Sequence, residues 1–367
     1  MLGPRQAEDT RRPAPFSGPA RLRFRPMSGS TYIVTGGAGF IGANLVAELL
    51  RRDPLAHVVV VDDFRSGSFL NIVEACDRAG VGPFSGTVQP DSVADLSWQP
   101  ALVALEPRAV FHLAAITDTL EFDEKKMLAD NTEPFADLLD ACTETATPLV
   151  YASSAATYGS PPQGDAREPF PEPAAGRPNN VYGFSKWLMD AEVFRLFAQR
   201  DAAGEPRPHV VGLRYFNVFG PGEHHKGKMA SMVWHLTGQM IAGNPPRLFE
   251  FGEHARDQVY VKDVVAQTIA AAAPGVTPGV YNAGSGRVTS FNEIAEHINR
   301  ALGTALDPEY FEMPAPMVPT YQHYTCADMS AAREGLAWTP TWDPADAIAE
   351  YVAWIRDRTP TGAPAAS

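Results

Sequence analysis

A tyrosine and a lysine at helical spacing are the residues in this sequence whose types most directly suggest chemistry. Tyr182 and Lys186 stand four residues apart, and Ser154 precedes Tyr182 by 28 residues. A phenol has a pKa of about 10, so it acts as a base at neutral pH only beside a cation, and a lysine at i,i+4 supplies one. Such a pair also occurs by chance on solvated helix faces. This sequence also contains a glycine-rich nucleotide-binding segment. The combination predicts hydride-transfer chemistry with Ser154, Tyr182 and Lys186 as catalytic residues.

A glycine-rich segment follows the first predicted strand, Tyr32 to Thr35, and precedes an apolar helix that runs through Leu50. Glycines at such a turn let the backbone approach a pyrophosphate, whose charge then lies at the N-terminus of the helix. A second predicted strand, His57 to Val61, supplies the context that this motif requires. We therefore expect the segment to hold a dinucleotide through Gly36, Gly39, Phe40, Ile41 and Gly42.

The residues after the second strand bear on which dinucleotide binds. Asp62 can accept hydrogen bonds from the adenosine ribose hydroxyls of NAD. The neighbouring carboxylate of Asp63 repels a 2′-phosphate, whereas Arg65 attracts one. Both carboxylates and the guanidinium are expected cofactor contacts, and the choice between NAD and NADP stays open at this point.

Alternating strands and helices predict the fold class, a Rossmann-type, doubly wound parallel α/β sheet with a smaller C-terminal substrate-binding lobe. A strand at Val110 to Leu113 precedes Ala114 and Ala115, and we expect the cofactor to lie over Leu113, Ala114 and Ala115. A helix at Met127 to Thr145 contains Asn131, another expected cofactor contact, and a strand at Pro148 to Ser153 ends beside Ser154. The expected division is a tail at 1–30, a dinucleotide-binding domain at 31–216 with a return strand near 279–283, a substrate lobe at 217–358 and a tail at 359–367.

Composition excludes several classes of function. The 367 residues carry a formal charge of −13, which opposes binding to nucleic acid. Three separated cysteines predict neither a disulfide framework nor a cysteine-rich zinc site, and the adjacent His224 and His225 lack the spacing of a metal site. No apolar run reaches the roughly 18 residues of a membrane span. We expect a cytoplasmic protein without a metal. The arginine-rich residues 1–26 are expected to be a disordered tail or an over-extended start.

Several segments carry a family resemblance, and the most specific is EHHKGKMAS at residues 223–231. The others are RYFNVFGP at 214–221, YASSAATYG at 151–159, LFE at 248–250 and RD at 256–257. With the glycine-rich segment, they make the chain from Tyr32 to about Trp354 resemble the extended short-chain dehydrogenase/reductase family. Within that family, the chain is similar to the branch of ADP-L-glycero-D-manno-heptose 6-epimerases.

The resemblance implies specific roles. Tyr182 and Ser154 would handle the sugar hydroxyl, Lys186 would hold the nicotinamide ribose, and Lys226 would be a second acid/base on the opposite face of the reacting carbon. The family generally uses NADP, and Val218 is a further expected cofactor contact. A nucleotide sugar is the implied substrate and a homo-oligomer the implied assembly. Beside Ser154, the implied substrate contacts are Asn217, Lys228, His235, Phe249, Glu250, Arg256 and Tyr321.

Three departures from the family pattern keep alternatives open. Lys228 stands where the family usually has serine, Asp118 lies in a loop that is usually serine-rich, and basic residues for a 2′-phosphate are not evident near Ser68. A UDP-sugar 4-epimerase and a 4,6-dehydratase are the alternative enzymes. The dehydratase ranks lower because Ala155-Ala156 replaces its usual acidic pair. A dinucleotide-sensing scaffold is the alternative outside enzymes, although a scaffold would not need the acid/base residues.

Overall fold

The computed structural model of the protein describes residues 29–94, 104–117, 123–160, 167–313 and 322–358, apart from the side chain of Glu250. The proposed tails therefore lie almost wholly outside the described residues. Within these ranges, none of the helices is both long enough and apolar enough to cross a bilayer.

A seven-stranded sheet forms the centre of the molecule. Its strands, in chain order, are β1 (Thr31–Thr35), β2 (His57–Val61), β3 (Thr87–Gln89), β4 (Ala109–His112), β5 (Leu149–Ser154), β6 (Val210–Tyr215) and β10 (Gly279–Ala283). Their spatial order is β10-β6-β5-β4-β1-β2-β3, and each described neighbouring pair is parallel. The order reverses between β1 and β4, the switch point at which open α/β sheets bind ligands. The predicted fold class is confirmed.

Buried β-branched residues explain why these segments form strands. The sequence HVVVV of β2 has four buried valines, as expected for a strand covered by helices on both faces. The helices that cover the sheet and complete the second lobe are α1 (Phe40–Arg52), α2 (Phe69–Ala79), α3 (Glu124–Glu144), α4 (Val181–Ala203), α5 (Met232–Ile241), α6 (Val261–Ala271), α7 (Phe291–Leu302), α8 (Ser330–Leu336) and α9 (Pro344–Arg356).

Small sheets build the region after Asn217. The strands β7 (Asn217–Phe219), β9 (Ala255–Tyr260) and β11 (Val288–Ser290) form a three-stranded sheet, while β8 (Arg247–Phe249) pairs with β12 (Glu309–Phe311). A single apolar cluster includes Val34 of β1, Phe219 of β7 and Ile355 of α9. The central sheet and the region after Asn217 therefore share an apolar cluster.

Two strands begin and end one residue away from their predicted positions. β4 ends at His112, so Leu113 belongs to the loop after the strand, and β5 includes Ser154. Because Ser154 also caps the short helical turn Ala155–Tyr158, its hydroxyl lies where the strand stops. The expected return strand is β10, which pairs with β6.

Candidate active site

The glycine-rich loop leaves little room for side chains. Gly36 has a φ of 69°, a conformation that favours glycine, and a Cβ there would lie 2.6 Å from the amide nitrogen of Ala114. Gly39 is the N-cap residue of α1, and no side-chain hydrogen bond caps the helix there. Its uncapped backbone N–H groups are suited to an anion such as a pyrophosphate. The loop therefore fits a dinucleotide, with Phe40 and Ile41 in the first helical turn.

We expect Gly42→Ala to destabilise the protein and weaken cofactor binding. A Cβ on Gly42 would lie 2.1 Å from the carbonyl oxygen of Gly36, so the loop must move away from α1. Overpacking of this kind costs about 1–3 kcal/mol. Chemical denaturation and a cofactor titration measure the two effects. Gly238→Ala is the control, because a Cβ there meets nothing within 4 Å, and equal stability of the two variants would contradict the steric argument.

Asp62 ties the second strand to the glycine-rich loop. Its carboxylate accepts hydrogen bonds from the backbone N–H of Ala38 and of Phe64, each at 2.9 Å. Burial raises the pKa of Asp62, and these two hydrogen bonds oppose the shift. The carboxylate thus holds the loop in place. Its remaining lone pairs can accept hydrogen bonds from ribose hydroxyls.

Arg65 is engaged by two carboxylates. Its guanidinium lies 2.6 Å from Asp63 and 2.6 Å from Asp130 of α3. Lys126 forms a second ion pair with Asp130. A 2′-phosphate beside Arg65 would therefore compete with carboxylates for the guanidinium.

Ser154 and Tyr182 meet at the carboxyl edge of the sheet. Asn180 caps α4 by accepting a hydrogen bond from Gly183 N at 2.7 Å, which places Tyr182 in the first turn. Burial raises the pKa of Tyr182, and a hydrogen bond with Ser154 opposes this. The Ser154 Oγ also accepts a hydrogen bond from Ala156 N at 3.1 Å, which orients the hydroxyl.

Lys186 is buried one turn along α4, with 2% of its surface exposed. Its Nζ lies 3.7 Å from the Sδ of Met189. Burial lowers the pKa of Lys186 to about 8, and the charge of Asp190 opposes this. His112 lies nearby with its Nδ1 2.9 Å from the Oγ1 of Thr35. Burial, with a smaller effect of Lys186, lowers the pKa of His112 to about 3, so the imidazole is neutral.

Asn131 connects the loop after β4 to the helix that carries Tyr182. Its side-chain amide accepts a hydrogen bond from Ile116 N at 2.8 Å and donates one to Ile116 O at 3.0 Å. It also donates to the Oγ of Ser185, which in turn donates to Tyr182 O. These bonds position the Leu113, Ala114 and Ala115 loop against α4.

Lys226 lies in the helical turn Glu223–Met229, beside the glycine-rich loop. Its Nζ is 5.5 Å from the ring centre of Phe40, at the start of α1. Burial lowers the pKa of Lys226, and the charge of Glu223 opposes this. Glu223 is fully buried and accepts hydrogen bonds from the N–H and the hydroxyl of Ser231, each at 2.7 Å. These hydrogen bonds hold in place the turn that carries Lys226.

The sequence did not predict a role for Glu223, although this residue begins the segment EHHKGKMAS at residues 223–231. Its position three residues before Lys226 is the available signal, since the two side chains share one helical turn. A carboxylate at that spacing is ordinarily a solvated partner, and only the fold shows that this one is buried.

The expected substrate contacts lie on several elements of the second lobe. Asn217 begins β7 and accepts a hydrogen bond from Thr325 at 3.2 Å. Val218 follows it, partly buried. His235 is half-buried on α5, and the Phe249 ring at the end of β8 lies 4.6 Å from Phe311. Lys228 is exposed at the end of its turn, so it adds a positive charge at the surface.

Arg256 and Asp257 are both buried, so they do not form an exposed surface ion pair. Arg256 is 7% exposed and Asp257 is fully buried, both within β9. The Asp257 carboxylate accepts hydrogen bonds from the N–H groups of Ser285, Gly286 and Ala327 and from the Ser285 hydroxyl. Asp257 is therefore a structural acceptor that joins three chain segments beside Arg256.

Some expected site residues fall outside the described part of the chain. These are Tyr321, Asp118 and the side chain of Glu250. Within the described ranges, no group of three or more histidine, cysteine, aspartate or glutamate side chains is arranged to hold a metal ion.

Comparison with known proteins shows what this arrangement is similar to. The family profile for the NAD dependent epimerase/dehydratase family matches residues 32–284. This match spans the glycine-rich loop, Tyr182, Lys186 and Lys226.

Solved structures agree with the family match. The Helicobacter pylori ADP-L-glycero-D-manno-heptose-6-epimerase is 33% identical, with a TM-score of 0.76, covering 89% of this chain and 96% of its own. The Thermotoga maritima UDP-glucose 4-epimerase, solved with UDP-glucose, is 26% identical with a TM-score of 0.73, covering 89% and 99%. MoeE5, solved with UDP-glucuronic acid and NAD, is 25% identical with a TM-score of 0.71, covering 90% and 100%.

Proposed function

The chain belongs to the NAD dependent epimerase/dehydratase family, and within it we propose that the protein is an ADP-glycero-manno-heptose 6-epimerase. The observation that carries the proposal is the pairing of Tyr182 and the buried Ser154 and Lys186 with a second, partly buried lysine, Lys226, against the start of α1. Similarity to the Helicobacter pylori enzyme supports the choice of substrate.

Inverting a carbinol centre requires a proton donor or acceptor on each face of the transient ketone. We assign one face to Tyr182, which takes the proton of the C6″ hydroxyl while Ser154 donates a hydrogen bond to the same oxygen. Lys186 stabilises the phenolate and binds the nicotinamide ribose. Lys226 would donate a proton to the ketone oxygen when hydride returns to the opposite face of that carbon. The bound nicotinamide supplies the hydride acceptor and donor.

Burial moves the pKa values of the two proposed bases in opposite directions. Burial lowers the pKa of Lys226 from its ordinary value near 10.5, so a neutral amine is accessible closer to neutral pH. Glu223 limits that decrease and holds the turn in place. Burial instead raises the pKa of the Tyr182 phenol, which disfavours the phenolate. The Lys186 ammonium must offset that rise.

Product analysis tests the proposed reaction directly. The purified protein is incubated with ADP-glycero-manno-heptose and, separately, with UDP-glucose, and NMR follows inversion at C6″ and at C4″. We expect inversion at C6″ of the ADP-sugar. Inversion of UDP-glucose at C4″ with an unchanged ADP-heptose would assign the chain to the 4-epimerases instead. Loss of water from the sugar would assign it to the dehydratases.

We further propose that NAD binds at least as tightly as NADP. The 2′-phosphate of NADP would lie near Asp62 and Asp63, and Arg65 is already engaged by Asp63 and Asp130. The NAD present in the MoeE5 structure is consistent with this preference. Removing one carboxylate should release Arg65 toward the phosphate.

Calorimetric titration of cofactor-free protein measures the preference. We expect Asp63→Asn to shift the ratio of the two affinities toward NADP by about threefold to tenfold. Asp137→Asn removes a charge from the exposed face of α3 and is the matched control. A wild-type preference for NADP above about tenfold would show that another basic group dominates the site.

The proposal also includes a cellular role. An ADP-heptose epimerase would supply precursors of the lipopolysaccharide core, acting in the cytoplasm as a homo-oligomer, as the sequence resemblance implies. Light scattering of the purified protein tests the assembly.

A further inference from the structure

A buried ion pair lies one helical turn beyond Lys186. The carboxylate of Asp190 on α4 accepts a hydrogen bond from Arg214 Nε of β6 at 2.9 Å, and the two side chains are 0% and 1% exposed. The other carboxylate oxygen accepts a hydrogen bond from the Tyr151 hydroxyl of β5 at 2.9 Å. Taking two charges out of water is costly, and such pairs often add no net stability over apolar residues. A stabilising role alone therefore explains this pair poorly.

The partners of Arg214 keep this pair rigid. Its Nη1 donates to the carbonyl oxygen of Glu172 at 2.7 Å and to the hydroxyl of Tyr158 at 3.2 Å. The Tyr158 hydroxyl donates to Asn282 of β10 at 2.6 Å. The Asp190 carboxylate is thus held directly from β5 and β6, and its partner Arg214 is held in turn through Tyr158, which bonds to Asn282 of β10.

Among the residues that the structure describes, Asp190 is the carboxylate whose negative charge acts on Lys186. Tyr182 shares α4 with Lys186, and His112 of β4 is neutral because of its burial. The Arg214 and Tyr151 side chains each donate a hydrogen bond to one oxygen of the Asp190 carboxylate. Asp190 stands at i+4 from Lys186, and both residues are buried where water screens charge weakly.

We propose that Asp190 is a positioning residue that keeps Lys186 protonated while Tyr182 loses its proton, and that Arg214 and Tyr151 keep the Asp190 carboxylate ionised and in place. Loss of the carboxylate would allow burial to deprotonate Lys186. The lysine would then no longer stabilise the phenolate. This inference rests on the role proposed for Lys186.

The test measures the protonation of Lys186 without any nucleotide sugar. Full-length protein is labelled with ¹³C at the lysine ε-carbon, the Lys186 resonance is assigned by its loss in Lys186→Met, and its titration is followed by NMR. We expect Asp190→Asn to lower the titration midpoint of Lys186 by about one pH unit or more. A charge one helical turn away in a buried site changes a pKa by that order. Asp190→Glu keeps a carboxylate, so the Lys186 midpoint of this variant should stay close to the wild-type value. Asp201→Asn, at the exposed end of the same helix, should cause none.

A second variant distinguishes a folding defect of Asp190→Asn from a direct effect of the lost carboxylate on Lys186. Leaving Arg214 buried without a carboxylate can unfold the protein, so Asp190→Asn combined with Arg214→Gln removes both charges. Thermal unfolding identifies which variant is folded, and we expect a downward shift of the midpoint in that variant, smaller in the double variant because the positive charge of Arg214 is lost as well. A Lys186 midpoint that stays at its wild-type value in a folded variant overturns the inference. Absence of epimerase activity would instead refute the proposed function and leave the titration result standing.

Discussion

Replacing Tyr182 by phenylalanine should abolish turnover while leaving cofactor affinity nearly unchanged. The substitution removes one hydroxyl and keeps the ring in the first turn of α4, so the glycine-rich loop is unaffected. Loss of a central acid/base group typically costs about 10²–10⁴-fold in rate, and more where the step has no alternative base. NMR of the sugar product gives the rate, and fluorescence titration with reduced cofactor gives the affinity.

The matched control is Tyr215→Phe, which removes another buried phenol. The Tyr215 hydroxyl lies 2.8 Å from the Oγ1 of Thr268, and its role is in packing. We expect this control to keep the rate within about threefold of wild type, because a lost hydrogen bond costs about 1 kcal/mol of stability rather than a reaction step. If Tyr182→Phe retained more than about a tenth of the wild-type rate, Tyr182 would not be the proposed base.

The second large effect is expected for Lys226→Met. Methionine has a similar length but no exchangeable proton, so inversion should fall below detection while one half of the cycle persists on the Tyr182 face. Mixing the variant with a single substrate epimer should therefore give partial reduction of bound cofactor. Absorbance of the reduced nicotinamide measures that half-reaction, and NMR measures the missing epimer.

Lys262→Met is the control for removing a lysine charge. Lys262 is exposed on α6 and forms an ion pair with Glu350, away from the glycine-rich loop. We expect wild-type epimerisation in this variant. Normal inversion by Lys226→Met would contradict the assignment of two bases to two faces. Loss of both inversion and partial reduction would mean that Lys226 serves both faces.

The fold class was predictable from the sequence because its signals are local. A buried valine run in β2, a glycine-rich turn after β1 and an amphipathic helix between them each occupy fewer than 15 residues. Family membership was predicted for the same reason, since its motifs are continuous segments, and the family match confirms it. The residue-level roles and the particular sugar stay predictions.

Contacts between distant segments could not be read from the sequence. Asp190 and Arg214 lie 24 residues apart, and Asn44 donates a hydrogen bond to the carbonyl oxygen of Pro221 across 177 residues. Both contacts depend on how strands and helices pack in three dimensions. Asp62 shows a different limit. Its residue type and position predict a contact with the cofactor ribose, which stays a prediction, and they gave no sign that the backbone N–H groups of Ala38 and Phe64 would donate hydrogen bonds to its carboxylate.

The position of β10 has a consequence for how the chain folds. This strand, Gly279–Ala283, completes the central sheet beside β6, yet more than 60 residues of the second lobe separate the two in sequence. During synthesis, β6 must wait as an unprotected sheet edge until β10 has been made, and such edges pair readily with other chains. Pairings between distant strands also form slowly. A nascent or truncated chain that ends before residue 279 should therefore depend on chaperones and aggregate when they are scarce.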